Sequence, residues 1–233
     1  MCGRFTILYT WEEIYRYYSL IGETPTNWAP DFNVCPTDDV GAVLMRDGKR
    51  RFERMRWGII PFFHKKPKKE WKLATFNARG ETIEKLSTFR NIWQRNRCLI
   101  PASGYYEWHR KNPDDKKEKP QPYYFTARDG SPLLTIAGIW ERWRDPENDN
   151  KELHSCAMVI TEPNKFVAEV HDRMPVLLQP GHFDAWLDGS LGKEALVPAP
   201  EDMLRKQPVS QRVNSNKAPK DDPTLIDEVA LAA

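Results

Sequence analysis

At 233 residues the chain is long enough for one domain or two small ones, with a substantial core. Its composition, with 40% hydrophobic and 29% charged residues, is typical of a globular protein. This composition excludes a disordered or a fibrous protein. The formal net charge of +2 gives no overall basic signature, so a site for a polyanion would require local clusters of arginine and lysine.

The cysteines and the apolar runs indicate a cellular compartment. The four cysteines are widely spaced and form no C-x-x-C pair, which argues against a disulfide framework or a zinc site. No apolar run reaches the ~18 residues of a membrane span, and the N-terminus lacks the layout of a signal peptide. We therefore expect a cytoplasmic protein with reduced thiols, no metal and no cofactor.

The first predicted elements are a helix and a hairpin. Thr10 and Glu13 form a capping-box pattern, and the helical stretch that follows closes on Gly22. Two strand-like runs then flank Asp47-Gly48, which is a typical hairpin turn.

Strands dominate the rest of the chain. Stretches rich in β-branched and aromatic residues predict strands within 97–110, 121–128, 133–143 and 154–161. Helices are expected at 81–89, 162–170, 180–187 and 201–206. Because strands and helices do not alternate regularly, the pattern predicts an α+β fold with an antiparallel sheet or barrel-like core and short flanking helices.

We expect a single domain over residues 1–233, with its core at about 2–214 and a partly flexible tail at 215–233. The charged run at 110–121 is predicted to be a solvated hairpin tip between two strands.

Three polar residues do not fit their surroundings. Asn77 stands where a helix is expected to begin, so it could simply be a helix cap. Glu107 lies among aromatic residues in a predicted strand, where burial would raise its pKa unless the strand lies at a sheet edge. His171 is flanked by Asp172 and Arg173, so a surface salt-bridge cluster is the simplest interpretation. Cys35, Cys98 and Cys156 are expected to be buried as small hydrophobic residues.

Several motifs together resemble one known family. The stretches "MCGRF", "NVCPT", "RWGIIPFF", "FNARGET", "RCLIPASGYYEW", "IAGIWE", "VHDRMPV" and "PVSQRVN" are similar, in order and context, to those of the SRAP family, the SOS response-associated peptidase proteins. The similarity runs from Cys2 to about Asn214. It implies a β-rich α+β domain, acting as a monomer, with a positively charged groove for single-stranded DNA that contains abasic sites. It also implies association with the nucleoid when the protein is bound to DNA.

The resemblance also implies roles for individual residues. Cys2 would be the nucleophile, Asn77 and Glu107 its polar partners, and His171 the proton-transfer group. The DNA-binding residues implied are Arg4 and Arg79 as phosphate contacts, with Pro36, Trp57 and Trp108 as pocket and DNA-facing residues. Ser87 stands where some members have an arginine, although Arg90 could replace that phosphate contact.

The position of Cys2 suits the chemistry that the family implies, a covalent crosslink to an abasic site. Once Met1 is removed, Cys2 carries a free α-amine and a thiol on adjacent carbons. With ordinary pKa values, an α-amine is roughly 10–15% neutral at pH 7, against about 0.04% for a lysine. The amine can therefore form an imine with the open sugar aldehyde, and the sulfur can then close a five-membered thiazolidine ring.

Two other functions remain open from the sequence. An N-terminal-nucleophile hydrolase would use the Cys2 thiolate against an amide, with Glu107 or His171 as the base, and could remove Met1 by self-cleavage. A DNA-binding module without chemistry would use Cys2 only as the residue after the start codon. Reaction with abasic DNA or with a peptide bond would distinguish these possibilities.

Overall fold

Two β-sheets form the centre of the protein in the computed structural model, which describes residues 2–22, 29–112, 115 and 117–231. The described strands are β1 (Arg4–Ile7), β2 (Asp31–Val34), β3 (Asp39–Arg46), β4 (Lys49–Trp57), β5 (Asn77–Arg79), β6 (Arg97–Ala102), β7 (Gly104–His109), β8 (Gln121–Ala127), β9 (Leu134–Asp145), β10 (Lys151–Thr161), β11 (Met174–Pro175) and β12 (Leu204–Pro208). The α-helices are α1 (Trp11–Tyr17), α2 (Arg90–Arg95), α3 (Lys165–Ala168) and α4 (Phe183–Leu187). Short 3₁₀ turns cover Lys68–Glu70, Pro180–His182, Lys193–Ala195, Gln211–Asn214 and Pro223–Ile226.

The larger sheet closes on itself. Its strands follow the order β11-β10-β4-β3-β6-β9, and β9 also pairs with β10, so that β3, β4, β10, β9 and β6 form a five-stranded barrel. Its pairings are antiparallel, except that β10 runs parallel to β4 and to β5. The smaller sheet has the order β12-β8-β7-β1-β2 and is antiparallel throughout. The fold is α+β with a barrel-like core and short helices, as predicted.

Local sequence signals account for the elements that were predicted correctly. The Thr10 side chain accepts a hydrogen bond from the Glu13 amide at 3.2 Å, and Glu13 Oε2 accepts one from the Thr10 amide at 2.6 Å. This capping box begins α1, which ends before Tyr18 rather than at Gly22. Asp47 and Gly48 both have positive φ angles, 51° and 68°, as a two-residue hairpin turn of type I′ requires.

Three predicted helices or helix starts were wrong. Asn77 does not cap a helix, because it begins β5 and lies opposite Met158 of β10. Residues 81–89 form a series of turns that leads into α2. Leu204 begins a strand rather than continuing a helix over 201–206, because it pairs with Ala127 of β8. The helix preference of a short segment is weak, and tertiary contacts override it. Asn77 and Leu204 pair with strands that are distant in sequence, and residues 81–89 form no continuous series of helical hydrogen bonds.

The segment after Asn214 packs on the smaller sheet. The Phe32 amide donates to the Lys220 carbonyl at 2.7 Å, the Leu225 side chain is fully buried, and the Val229 amide donates to the Pro208 carbonyl at 3.0 Å. Residues 232–233 of the predicted flexible tail lie outside the described residues, as do 113, 114 and 116 of the charged insertion.

No helix in the described part of the chain combines the length and the apolar character needed to cross a membrane.

Candidate active site

Four segments far apart in sequence meet at the start of β1. Cys2 precedes β1, Glu107 lies in the neighbouring strand β7, Asn77 begins β5, and His171 lies between α3 and β11. The Asn77 amide nitrogen donates to the Cys2 carbonyl at 2.9 Å. The Cys2 thiol is within hydrogen-bonding reach of the Glu107 carboxyl group, and His171 Nε2 lies 3.6 Å from Glu107 Oε2. The structure therefore brings together all four residues that were expected to carry the chemistry.

Glu107 is the buried acid of this cluster. Its side chain is 0% exposed, and burial raises its pKa to about 7. The interpretation as an edge-strand charge is wrong, since β7 lies between β8 and β1. A carboxyl group with a pKa near neutrality can both accept and return a proton at physiological pH, as a general acid–base must.

Cys2 is held as a thiol. Its side chain is only 1% exposed, and burial together with the adjacent Glu107 carboxylate raises its pKa well above the ordinary value. The sulfur is therefore protonated at rest, with Glu107 placed to accept the proton when the sulfur reacts.

His171 faces inward, and the predicted surface salt-bridge cluster is only partly formed. Nδ1 accepts a hydrogen bond from the Arg173 amide at 3.0 Å, so the neutral ring carries its proton on Nε2, the nitrogen that faces Glu107. Asp172 Oδ1 lies 3.1 Å from Nδ1, whereas the Arg173 guanidinium pairs with Glu81. Burial lowers the pKa of His171, which favours this neutral Nε2–H form.

Asn77 contributes one free acceptor. Its Oδ1 is buried and has no hydrogen-bond partner among the described residues, while its nitrogen is occupied by Cys2. A buried acceptor without a partner is rare and can receive a donor from a bound molecule.

An open groove of about 750 Å³ leads to the buried cluster. Glu107 and His171 lie at its base, and Trp108 lies on its wall. Arg4 and Arg110 supply two positive charges at the same groove, and the exposed Asp172 supplies one negative charge. A cationic groove with a tryptophan and a reactive cluster at its base suits a polyanion that brings one reactive group inward.

Arg4 is tied to the protein as well as lining the groove. Its guanidinium donates to Asn33 Oδ1 at 2.7 Å and to the carbonyls of Asn214 and Ser215 at 3.0 and 3.4 Å. It also contacts the sulfur of Cys35 at 3.2 Å. Cys35 is therefore half-buried in a polar setting, and its predicted burial as a small hydrophobic residue is wrong, whereas Cys98 and Cys156 are buried as expected.

Trp57 cannot face DNA in this structure, because its side chain is 0% exposed. Its indole nitrogen donates to the Phe76 carbonyl at 2.9 Å, and its ring packs edge-on against Phe5 at 5.1 Å. Phe76 precedes Asn77 and Phe5 follows Cys2 by three residues, so Trp57 fixes both segments from beneath. Its contribution to the site is structural support.

The remaining predicted DNA-binding residues differ in position. Trp108 is half-buried and lines the groove, where its indole nitrogen donates to Asn214. Arg79 is exposed at the end of β5, two residues after Asn77. Pro36 is half-buried in the turn after Cys35 and is not among the residues that line the groove. Ser87 and Arg90 are both exposed near the start of α2.

Arg110 and Asn214 line the groove but were not identified from the sequence. Arg110 was assigned to the charged insertion, although it stands two residues after Trp108, a spacing that places both on one side of an extended chain. Asn214 reaches the groove from the far end of the chain, and only its place in the motif "PVSQRVN" could have indicated it.

Among the residues that the structure describes, no three or more His, Cys, Asp or Glu side chains are arranged so that they could hold a metal ion.

The fold and the site define a class of protein: an α+β barrel whose first strand is preceded by a cysteine facing a buried glutamate and a histidine. The chain belongs to the SRAP family, since the model of the SOS response associated peptidase (SRAP) family matches residues 1–216. Its relatives include the abasic site processing protein YoqW of Bacillus subtilis, 32% identical over 97% of this chain and 99% of that protein. The abasic site processing protein HMCES of Xenopus tropicalis is 31% identical over 82% of this chain and 64% of its own length.

Solved structures share the fold. A crystal structure of a Bacteroides thetaiotaomicron protein superposes with a TM-score of 0.84, covering 98% of this chain and 100% of that one, at 20% identity. A Bordetella bronchiseptica protein reaches a TM-score of 0.75 at 28% identity, covering 90% of this chain and all of its own.

Proposed function

We propose that this protein binds single-stranded DNA at abasic sites and forms a covalent thiazolidine crosslink to the open sugar through Cys2. The names of its relatives, which are abasic site processing proteins, support the choice of lesion. The observation that carries the chemistry is the placement of the Cys2 thiol against a buried carboxyl group with a pKa of about 7, at the base of a cationic groove.

The first stage is imine formation. After Met1 is removed, the neutral α-amine of Cys2 attacks the aldehyde carbon of the ring-opened sugar, and water leaves after two proton transfers. His171, when protonated, can give its Nε2 proton to the departing sugar oxygen, and Glu107 can move protons between the amine, the carbinol and water. Asn77 Oδ1 is available to accept a hydrogen bond from a sugar hydroxyl. Met1 itself lies outside the described residues.

The second stage is ring closure. The Cys2 sulfur bonds to the carbon of the protonated imine, its proton passes to the Glu107 carboxylate, and the electron pair of the C=N bond returns to nitrogen, which becomes a neutral amine. The five atoms of the product ring are the nitrogen, Cα, Cβ and Sγ of Cys2 and the former aldehyde carbon of the sugar. Only an N-terminal cysteine has both nucleophiles, which explains why the second position of the chain matters.

The groove would hold the strand that carries the lesion. Arg79 and Arg110 can contact phosphates, and the Trp108 ring can stack on a neighbouring base. An abasic site has no base to unstack, so it enters a buried pocket at lower cost than an intact nucleotide.

The alternative, an N-terminal-nucleophile peptidase, begins with attack on an amide by the Cys2 thiolate, which Glu107 or His171 would have to generate. Burial and the Glu107 charge raise the pKa of Cys2, so they disfavour that thiolate at rest. Amine attack followed by thiol addition does not require a resting thiolate and fits the site better.

Mass spectrometry of the intact protein after mixing with a single-stranded abasic oligonucleotide tests the proposal. We expect one heat-stable adduct on Cys2 when it is the first residue, and none when an N-terminal extension keeps its nitrogen in a peptide bond. Cys35→Ala is the matched control, because it removes another thiol near the groove and should crosslink normally. Robust adduct formation by the extended chain, or peptide hydrolysis without any DNA adduct, would refute the proposal.

A further inference from the structure

One buried tyrosine differs from the others in its hydroxyl group. Tyr105 is 1% exposed, and its hydroxyl has no hydrogen-bond partner among the described residues. Every other buried tyrosine in the described chain has one. The bonded pairs are Tyr9 with the Pro101 carbonyl at 3.4 Å, Tyr18 with Thr135 at 2.7 Å, Tyr106 with the Phe32 carbonyl at 2.7 Å, and Tyr124 with Thr6 at 2.7 Å.

The free hydroxyl cannot turn away to solvent. The Tyr105 ring is stacked on Phe125, with centroids 5.0 Å apart and planes inclined by 7°. Since a buried hydroxyl without a partner is destabilising, phenylalanine would suit this position better if packing were its only purpose. The hydroxyl therefore points to a partner that appears only during function.

The position of Tyr105 identifies that partner. Tyr105 stands two residues before Glu107 on β7, an interior strand, so the two side chains share one face of the sheet. Phe5, three residues after Cys2, lies opposite Tyr105 in the register of β1 and β7. Burial is the largest cause that raises the pKa of the Tyr105 phenol, and the charges of Cys2 and Glu107 raise it further. Both groups therefore lie near the phenol.

We propose that Tyr105 is a further catalytic residue, whose hydroxyl donates a hydrogen bond to the Cys2 sulfur as that sulfur closes the ring. This inference rests on the proposed function. In the closing step the S–C bond forms on the protonated imine, the thiol proton passes to the Glu107 carboxylate, and the C=N electron pair returns to nitrogen, which becomes a neutral amine. Negative charge builds up on sulfur as its proton leaves. The Glu107 carboxylate repels that charge until it has taken up the proton, and a hydrogen bond from the Tyr105 hydroxyl would stabilise the sulfur during the transfer.

The resting structure agrees with a bond made only during reaction. At rest the Tyr105 hydroxyl has no hydrogen-bond partner among the described residues, sulfur included, so the proposed bond forms only as the Cys2 sulfur loses its proton and approaches the imine carbon. A sulfur that is losing its proton is a strong acceptor. An interaction that is stronger in the transition state than in the ground state increases the rate of that step.

Tyr105→Phe tests this role, with Tyr124→Phe as the matched control. Both variants lose one buried hydroxyl, but that of Tyr124 is bonded to Thr6. We expect Tyr124→Phe to lower the melting temperature and Tyr105→Phe to leave it unchanged or raised. A loss of stability in Tyr105→Phe equal to that of the control would mean that its hydroxyl has a structural partner, which overturns the proposal.

The reactivity of Cys2 gives a second measurement that needs no DNA. With Met1 removed, alkylation of Cys2 by iodoacetamide is followed by peptide mass spectrometry, with Cys35 as the internal reference. We expect the Cys2 rate near neutral pH to fall about tenfold in Tyr105→Phe, the effect of raising a thiol pKa by about one. Equal rates in wild type and Tyr105→Phe between about pH 6 and 9, a range that spans the ordinary thiol pKa, would overturn the proposal.

The third measurement separates the two chemical stages on abasic DNA. Borohydride trapping should find the imine formed at the wild-type rate in Tyr105→Phe, while the heat-stable adduct forms roughly 10–100-fold more slowly, as for loss of a hydrogen bond to a charged group. Equal slowing of both stages would contradict a role in ring closure. If even the wild type forms no adduct, the proposed function fails, while the alkylation rates still decide the role of Tyr105.

Discussion

Replacing Glu107 with glutamine should stabilise the protein above neutral pH and change its stability little in mild acid. The Glu107 carboxyl group is fully buried in the folded protein, and burial raises its pKa from the ordinary value of 4.5 to about 7. Below both values the group is protonated in the folded and unfolded states and imposes no penalty. Above both values it is ionised in both states, and the folded state carries the full cost of a buried charge.

The magnitude follows from the two pKa values. The folded and unfolded pKa values differ by about 2.5, and each pKa unit corresponds to about 1.36 kcal/mol. The free energy of unfolding therefore falls by roughly 3 kcal/mol as the pH rises from about 4.5 through 7. Glutamine has nearly the shape of the protonated acid and cannot ionise. In a chain of this size the gain above pH 7 corresponds to a melting temperature raised by roughly 6–12 °C.

Urea unfolding of wild type and Glu107→Gln at about pH 5 and pH 8, on either side of the raised pKa, measures this directly. Only the difference between the two proteins is used at each pH, because other groups titrate as well. The exposed Glu162 provides the control variant Glu162→Gln, which should show no comparable pH-dependent gain. A difference between wild type and Glu107→Gln that is the same at both pH values would refute a raised pKa for Glu107.

Three other predictions concern different parts of the molecule. The ratio of the wild-type crosslinking rate to that of His171→Ala should rise as the pH falls below about 6.5, the ordinary pKa of histidine. Burial lowers the pKa of His171, so its ring is mostly neutral above that pH and gains a proton below it. A constant ratio would mean that His171 has only a structural role. Arg79→Ala should weaken single-stranded DNA binding and reduce the salt slope by about 0.7, whereas the exposed Arg51→Ala, on the arm of the hairpin, should bind normally in the same salt titration. Thr10→Ala should cost about 1 kcal/mol in thermal or urea unfolding, since it removes the side-chain cap of α1; an unchanged midpoint would count against that cap.

Trp57 supports the site from beneath instead of facing DNA. A tryptophan inside a matching motif was expected to face DNA, yet this ring is buried between Phe5 and Phe76. The motif identified a residue important to the site but could not distinguish a contact with a ligand from support beneath it. That distinction depends on which neighbours surround the side chain, and those neighbours come from other strands.

The sequence by itself determined the elements whose cause is local. The α1 cap needs only Thr10 and Glu13, and the hairpin needs only the positive φ angles that Asp47 and Gly48 tolerate. It also determined the chemistry available at Cys2, because position along the chain alone makes its nitrogen a free amine once Met1 is removed.

Only the tertiary structure decided what surrounds these groups. Asn77 belongs to a strand because β10 lies beside it, and Glu107 is an acid with a pKa of about 7 because β7 is an interior strand. Tyr105 gave no signal in the sequence, since whether its hydroxyl is bonded depends on groups brought near it by folding. Burial and hydrogen-bond partners arise from contacts between distant segments, and these set the protonation states on which the reaction depends.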